Sequence, residues 1–201
     1  MAVRGFGMRL ARRAYLYIEG TRAVSLLDTR PVRHVKSLVT RMPAGEAARV
    51  LRAFRSGGVA VTVAGGWGID ALAGRQTRRH YDLDLIIERE QEATARTVLA
   101  GLGYRPGDDE HMPGLPLPHR CTLHDHAGHV VELLPAATGG PPFTAVTDPY
   151  APGVIGGEPC TCLSVPLQRL LHRGYPPRAC EPGDLRVLGS LDRVTPGAGP
   201  R

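Results

Sequence analysis

The chain has 201 residues, enough for one compact domain, and 25 Lys or Arg against 19 Asp or Glu give it a formal net charge of +6. Residues 1–41 hold nine of the basic and two of the acidic residues, so residues 42–201 are near neutral, which disfavours a nucleic-acid-binding domain. No apolar run is long enough to span a membrane and the four cysteines lack disulfide-framework spacing, which predicts a cytoplasmic protein with reduced thiols.

The basic N-terminal segment, residues 1–41, is expected to be a poorly ordered extension ahead of a domain at residues 42–194. Residues 195–201 are expected to form a loose tail. The segment contains an arginine pair but lacks the apolar stretch of a twin-arginine signal. An organelle presequence, a misassigned start codon and an RNA-binding tail are the alternatives for this segment.

The domain is predicted to open with a helix that begins at Pro43 and ends at Gly57-Gly58. Its apolar residues recur at helical spacing, and this pattern predicts a face that packs against a sheet. The residues of that face are Ala47, Val50, Leu51 and Phe54.

A short buried strand is predicted over residues 59–64, which are apolar, rich in β-branched side chains and followed by Gly65-Gly66. A helix over residues 67–73 follows and stops at Gly74. A glycine pair between a strand and a helix lets a polyanion approach unpaired backbone N–H groups closely. This arrangement predicts a phosphate-binding turn.

The next strand, Asp82 to Ile87, carries two carboxylates. Side chains alternate along a strand, so Asp82 and Asp84 should lie about 7 Å apart on one face and repel each other without a cation between them. Mg²⁺ takes oxygen ligands from one or two carboxylates together with substrate phosphates. The order strand, glycine pair, helix, basic loop and Asp-x-Asp therefore predicts a site for a magnesium-bound triphosphate.

The stretch GGWGIDALAGRQTRRHYDLDL resembles the signature of the small antibiotic nucleotidyltransferases. These are the aminoglycoside 2″-nucleotidyltransferases and lincosamide nucleotidyltransferases of the DNA polymerase β-like superfamily. The matching positions are Gly65, Gly66, Trp67, Asp70, Gly74, Thr77, Arg78, His80, Asp82 and Asp84. The resemblance implies an α+β protein with a polymerase β-like nucleotidyltransferase fold, in which helices pack on a mixed β-sheet and a short helical segment lies at the C-terminus.

Further along the chain, residues 88–101 are predicted to form a helix and residues 104–118 a surface loop. A hairpin follows, with strand-like runs at Cys121–Leu123 and Val130–Leu134 joined by a turn around Gly128. Histidines flank this turn. A zinc site through His124 and His126 is one interpretation, and the preferred one is that they are solvent-facing residues, since no cysteine lies at ligand spacing.

Glu132 lies in the second strand of this hairpin. Antiparallel pairing beside the Asp-x-Asp strand would bring its carboxylate to the metal ions. Superfamily members place their third acidic residue here, often in the pattern Val-Asp-x-His-Pro, which corresponds to Val131 through Pro135. In this chain Glu replaces the aspartate, and Leu134 replaces the histidine.

The C-terminal third is predicted to contain a loop over residues 136–152 near the mouth of the site and a strand segment at Cys160–Cys162. The stretch GVIGGEPCTCLSVPLQRLLHRGY resembles the C-terminal signature of the same family. Ser164 should cap a helix that ends at Gly174. Asp184 should cap a last short helix.

Residue roles follow from the resemblance and the chemistry. Asp82 and Asp84 are predicted metal ligands, and Glu132 is the third ligand or the general base. Backbone amides of Gly65 and Gly66 should hold the triphosphate.

The side chains near these residues are expected to have several different roles. Arg78 is predicted to contact a phosphate, and His80 either orients a carboxylate or phosphate or satisfies a backbone group. Trp67 should pack against the sheet, and Asp70 should either act as a capping residue or pair with an arginine. Three residues of the C-terminal segment are expected either to pack or to line an acceptor pocket: Gln168, His172 and Tyr175.

The sequence therefore predicts an enzyme that transfers a nucleoside monophosphate from a magnesium-bound NTP, most simply ATP with two Mg²⁺ ions, to a hydroxyl of a small molecule. An aminoglycoside or lincosamide antibiotic is the acceptor that the resemblance implies. The alternative is a nucleotidyltransferase-fold module without activity that binds a nucleotide or a partner protein.

Overall fold

The structure, a computed structural model, describes residues 42–174 and 181–194. The predictions for residues 1–41, Tyr175 and residues 195–201 lie outside the described residues. Within the described part, none of the helices combines the length and apolar character needed to cross a membrane.

The elements of the described part follow in chain order. They are α1 Ala44–Ser56, β1 Val61–Val63, α2 Gly65–Ala73, β2 Leu83–Glu88, α3 Glu92–Gly101, β3 Arg105–His111, β4 His119–His124, β5 Val130–Ala136, β6 Tyr150–Ile155, β7 Glu158–Leu163, α4 Val165–Gly174 and α5 Glu181–Val194. Short 3₁₀ helices lie at Arg89–Gln91 and Phe143–Ala145.

All seven of these strands belong to one mixed sheet with the order β3-β4-β5-β2-β1-β7-β6. The β2–β5 and β1–β7 pairs are parallel, and the other pairs are antiparallel. The predicted α+β class and mixed sheet are confirmed. The expected antiparallel pairing of the Glu132 strand with the Asp-x-Asp strand is wrong, because the hairpin β4–β5 docks through its second strand and β5 runs in the direction of β2.

The strand β2 supplies apolar side chains to two cores, one on each face of the sheet. Leu83, Leu85 and Ile87 join the core beneath α1 and α3, whereas Ile86 joins Leu134 in the core beneath α4. This alternation leaves Asp84 on the α4 face, as the strand periodicity predicts. The helix α1 buries its predicted face completely or nearly so, at Ala47, Val50, Leu51 and Phe54.

The expected surface loop at residues 104–118 is in part a strand. Residues Arg105–His111 form the edge strand β3, and its pairing with β4 shifts register between Pro106 and Asp109. An edge strand tolerates a proline because one side of its backbone needs no partner strand. Backbone pairing with β4 therefore overrides the turn-forming composition of this segment.

The expected loop at residues 136–152 is also shorter than predicted, since β6 begins at Tyr150 and pairs with β7. Ser164 directly precedes α4 as expected, but its Oγ has no hydrogen-bond partner among the described residues. Helix α5 begins at Glu181, so Asp184 lies within the helix rather than at its cap. Its carboxylate is bound elsewhere, as shown below.

Replacement of Leu167 by alanine should lower the free energy of unfolding by about 2–5 kcal/mol, because this side chain is fully buried under α4 and its truncation leaves a cavity. Leu170 of the same helix is 36% exposed, and Leu170→Ala should cost less than about 1 kcal/mol. Urea unfolding followed by circular dichroism measures both values. Equal losses would contradict the orientation of α4.

Candidate active site

The acidic centre of the candidate site is built on two neighbouring strands. Asp84 of β2 and Glu132 of β5 are partners in the parallel pairing register, so their side chains leave the sheet on the same face. Asp82 directly precedes β2, two residues before Asp84. Glu132 is nearly buried, with 8% of its surface exposed.

Arg120 of β4 is a cation beside this centre. Its Nε lies 3.2 Å from Glu132 Oε2, and the contact is an ion pair without the alignment of a hydrogen bond. The charge of Glu132 raises the pKa of Arg120 against the effect of burial, and Asp84 and Asp82 add to the increase. All three predicted metal ligands are thus close enough to act on one guanidinium.

Sequence reasoning missed Arg120, although a signal for it exists. The predicted strand started at Cys121, whereas β4 begins at His119. Thr122 pairs with Glu132, and Arg120 lies two residues before Thr122, on the same face. A strand extended by two residues would have placed this arginine beside Glu132.

Gly65 borders the acidic centre at the start of α2. Its φ of +58° lies in the left-handed region that favours glycine, and a Cβ on this residue would collide with Asp84 Oδ2. The amides of the first helical turn have no carbonyl partner within the helix. The predicted phosphate-binding turn therefore adjoins the carboxylates.

Gly66 is enclosed by two side chains that the sequence also assigned to the site. A Cβ on Gly66 would collide with Arg78 Nη2 and would lie 2.6 Å from His80 Nδ1. Of the predicted site residues, Asp84, Arg78 and His80 thus lie against the glycine pair, and Glu132 is paired with Asp84 in the strand register.

Arg78 is held by a partner that the sequence did not indicate. Its Nε and Nη2 donate to the two carboxylate oxygens of Asp184 in α5, at 2.9 and 3.0 Å, and its Nη1 donates to the carbonyl of Arg79 at 3.2 Å. This bidentate pair joins the loop after α2 to the C-terminal helix. The phosphate contact of Arg78 remains a prediction.

His80 belongs to a buried network that shapes the same loop. Its Nε2 lies 2.5 Å from Asp70 Oδ2, and its ring contacts the Trp67 ring with centroids 4.3 Å apart. The Thr77 backbone N–H donates to Asp70 Oδ2 at 2.9 Å, and the Thr77 hydroxyl donates to Asp70 Oδ1. The partners of Asp70 are thus a histidine and a threonine; the arginine pair, one of the two expected alternatives, is not formed among the described residues, and the carboxylate instead accepts from a backbone N–H.

The network favours the ionised form of Asp70. Burial opposes ionisation, but the hydrogen bonds from His80 and Thr77 outweigh it and hold the pKa of Asp70 below its ordinary value.

Trp67 is 3% exposed and packs in the core beneath α1, as predicted, while its Nε1 donates to the carbonyl of Met42 at 3.2 Å. The loop between α2 and β2 is therefore fixed from within.

Gln168 of α4 is a packing residue in this structure. It is 1% exposed, and its Nε2 would lie 2.5 Å from a Cβ on Gly68, so the amide rests directly on α2. Its neighbours Leu167 and Leu171 belong to the α4 core. The acceptor-pocket interpretation of Gln168 remains a prediction.

Away from this site, the described residues include a group of carboxylate and imidazole side chains that are close enough to share a metal ion. Ligand atoms of Glu46, Asp125 and His129 come within 4.8 Å of one another. Each member already has protein partners: His129 Nδ1 lies 2.8 Å from Asp125 Oδ2, and Glu46 accepts from Arg49 and from the Tyr104 hydroxyl. The three residues therefore form a satisfied polar contact between α1 and the β4–β5 turn.

Comparison with known proteins shows the family of this chain. The aminoglycoside-2″-adenylyltransferase family matches residues 46–188, and the protein belongs to that family. The predicted resemblance to the small antibiotic nucleotidyltransferases is thereby confirmed.

Individual relatives are more distant. A lincosamide resistance protein of Staphylococcus haemolyticus is 26% identical over 138 residues, which are 63% of this chain and 82% of that protein. A 2″-aminoglycoside nucleotidyltransferase of Escherichia coli is 29% identical over 125 residues, which are 58% of this chain and 64% of that enzyme. The second match spans less than two thirds of the relative.

Solved structures show the same fold. The lincosamide antibiotic adenylyltransferase LnuA, crystallised with lincomycin, has a TM-score of 0.62 at 22% identity and covers 75% of this chain and 99% of its own. ANT(2″)-Ia in complex with adenylyl-2″-tobramycin has a TM-score of 0.57 at 20% identity and covers 75% and 93%. The predicted nucleotidyltransferase fold is confirmed.

Replacement of Asp70 by asparagine should lower the free energy of unfolding at neutral pH by about 1–3 kcal/mol, because the charge that His80 and Thr77 stabilise is lost. The pKa of Asp70 is depressed in the folded state, so its contribution is complete above its ordinary pKa of 3.8 and is lost as the pH falls through the lower folded-state pKa. Urea unfolding at a series of pH values should show the wild-type and variant stabilities converging toward acid.

The exposed residue Glu90 supplies the control for this experiment. Glu90→Gln should leave the stability at neutral pH within about 0.5 kcal/mol of the wild type. A loss in Asp70→Asn that keeps the same size at every pH would contradict the assigned charge state.

Proposed function

We propose that this protein transfers a nucleoside monophosphate from an NTP to a hydroxyl group of a small-molecule acceptor. The observation that carries the proposal is the pairing of Asp84 with Glu132 across parallel strands, directly beside Gly65 at the start of α2. This arrangement supports a site in which the carboxylates face the phosphates that the glycine turn would hold. Family membership supports the same reaction.

The donor atoms of the acidic centre suit Mg²⁺, which prefers carboxylate oxygens. Asp82 and Asp84 would hold the ions, of which we propose two, with Glu132 as a third ligand. When bound, such ions stabilise the attacking and leaving oxygens of an in-line transfer. Arg120 would hold the carboxylate of Glu132 towards the site in their absence.

The glycine turn would bind the triphosphate of the NTP. Backbone N–H groups at Gly65 and Gly66 are available in the first turn of α2, and the helix dipole adds a partial positive charge there. Arg78 and His80 border Gly66 and could contact a phosphate oxygen. We propose ATP as the NTP, in line with the adenylyltransferase family.

The acceptor hydroxyl must lose its proton as it attacks the α-phosphate. Glu132 is the candidate base, because a carboxylate at Oε1 or Oε2 can accept this proton within the acidic centre. Arg120 would then be a positioning residue, since it contacts Glu132 rather than the reacting atoms.

We propose an aminoglycoside or a lincosamide as the acceptor, because relatives of both kinds match the chain. The acidic run Asp108, Asp109 and Glu110 of β3 offers negative charge to a polycationic aminoglycoside, although Asp109 already pairs with Arg96 at 2.9 Å. We further propose that residues 42–194 act as one nucleotidyltransferase domain and that the protein is cytoplasmic.

Asp84→Asn should reduce the rate of magnesium-dependent pyrophosphate release by about a hundredfold or more. The rate is measured with ATP and a panel of aminoglycosides and lincosamides. The thermal melting curve should not show destabilisation, because the substitution relieves repulsion among carboxylates. Glu90→Gln, at an exposed carboxylate of the 3₁₀ helix Arg89–Gln91, is the control and should keep its activity.

The outcomes separate the enzyme from its alternative. Binding of Mg-ATP by the wild type without pyrophosphate release on any acceptor would favour an inactive nucleotide-binding module. An unfolded Asp84→Asn variant would mean that this aspartate is structural.

Arg120→Gln should raise the affinity of the nucleotide-free protein for Mn²⁺ by about three- to tenfold, because a cation that competes for Glu132, Asp84 and Asp82 is removed. Titration of free Mn²⁺ by electron paramagnetic resonance measures this affinity without any turnover. Arg105→Gln, an exposed arginine of β3, should leave the affinity unchanged. Equal affinities in wild type and Arg120→Gln would contradict the proposed competition.

A further inference from the structure

A cavity of about 400 Å³ lies where α1 ends and where β1 and β7 begin. Its walls are mostly apolar and include Leu51, Val59 and Val61, and the thiol of Cys160 and the guanidinium of Arg55 also line it. The volume falls in the range of small-molecule sites. The acidic centre borders the other end of β1, about 13 Å away at 3.3 Å per strand residue.

Cys160 has a second thiol as its neighbour. Cys160 and Cys162 alternate with Thr161 along β7 and therefore share one face, and their Sγ atoms lie 3.6 Å apart. Cys162 is fully buried, and a Cβ on Gly153 would lie only 2.5 Å from its Sγ. The inner thiol has no room for a reagent, whereas the outer thiol faces the cavity.

The two thiols take opposite roles in their hydrogen bond. The bond to Cys160 and burial both raise the pKa of Cys162, which favours Cys162 as the donor of this bond. The hydrogen bond from Cys162 lowers the pKa of Cys160 against the effects of burial and of the Glu158 charge, and Arg55 lowers it further. The thiolate form is thus favoured at the sulfur that lines the cavity.

The rim of the cavity is cationic. Arg55 Nη1 lies 2.6 Å from Glu158 Oε1, and Arg55 Nη2 donates to the carbonyl of Pro159 at 2.6 Å. Arg52 also pairs with Glu158, at 3.3 Å, but does not line the cavity. Arg55 is thus the charged side chain among the lining residues, whereas Arg52 and Glu158 lie outside the lining.

Cys121 provides the contrast within the described residues. It is 5% exposed, and burial raises its pKa to about 12, since the nearby Arg96 offsets this effect only in part. It contributes nothing to the lining of the cavity. Cys160 therefore differs from the other described thiols because it is less buried, accepts a hydrogen bond from a thiol and lines a cavity.

We propose that Cys160 is a modification site that undergoes thiol–disulfide exchange with small disulfides whose body is apolar and which carry a carboxylate. The apolar walls would take the body of the reagent, and Arg55 at the rim would attract the carboxylate. In the reaction, the Cys160 thiolate attacks one sulfur of the disulfide. The Cys160–S–S–R bond forms as the S–S bond of the reagent breaks, and the electron pair leaves on the released thiolate, R–S⁻.

The adduct should persist as a mixed disulfide. Two positions along an extended strand, Cys160 and Cys162 lie about 6.6 Å apart at Cα, which is close to the upper limit for a disulfide. Displacement of the reagent by Cys162 would require β7 to bend, and β7 is hydrogen-bonded to strands on both sides.

The test uses the full chain in a Cys180→Ser background, which removes the thiol outside the described residues. With the anionic probe dithiobis(nitrobenzoate), one equivalent of coloured thiolate should be released, and mass mapping should find the adduct on Cys160. First labelling at Cys121 or Cys162, or release only in denaturant, would overturn the proposal. Release of a second equivalent with no retained adduct would show an internal disulfide and would overturn it as well.

Matched variants test the assigned donor. Cys162→Ala should slow the labelling of Cys160 by about three- to tenfold, whereas Cys162→Ser keeps an O–H donor and should stay within about twofold of the parent. An unchanged rate in Cys162→Ala would refute the role of the inner thiol. Circular dichroism confirms that each variant is folded before the rates are compared.

The cationic rim has its own controls. Arg55→Gln should slow the reaction with the anionic probe by about threefold and leave the reaction with neutral dithiodipyridine unchanged. Arg52→Gln, which also removes a partner of Glu158, should change neither rate. Equal slowing with both probes would mean that Arg55 only supports the fold, and the carboxylate preference would be withdrawn.

Discussion

The repulsion among closely placed carboxylates is the constraint on which this protein depends. Asp84 and Glu132 face the same side of adjacent strands, Asp82 lies one strand repeat away, and Arg120 is a single guanidinium on which all three act. Carboxylates on neighbouring strands repel one another, and a sheet cannot relax them apart without losing its pairing register. A centre of this kind suits divalent ions that arrive with a substrate, which is the requirement of nucleotidyl transfer.

The loop beside this centre is held in place by side-chain contacts. The Asp70–His80–Thr77 network fixes the loop that leads into β2, and the Arg78–Asp184 pair ties the same loop to the C-terminal helix. Both lie beside the glycine turn, where any side chain would fill the space that separates the helix start from the carboxylates. Stabilising contacts are thus placed around the site.

The two ends of β1 border different groups of functional side chains. One end of β1 leads into the glycine turn and the acidic centre, and the other end borders a cavity with a thiol and a cationic rim. Parallel pairing of β7 with β1 connects the two, since Cys162 stands opposite Val63 in the register. A reagent at Cys160 would therefore occupy a place that the nucleotide does not need.

The sequence by itself determined the parts of the site that depend on neighbours along the chain. Strand alternation predicted the shared face of Asp82 and Asp84, and the glycine pair predicted the turn beside them, because both follow from local backbone geometry. Only the tertiary structure decided that β5 runs parallel to β2 and that β3 is a strand. It also placed Arg120 beside the acids and paired Arg78 with Asp184, 106 positions away. Such contacts join distant segments, and packing of the whole sheet overrides the local preferences from which a pattern is read.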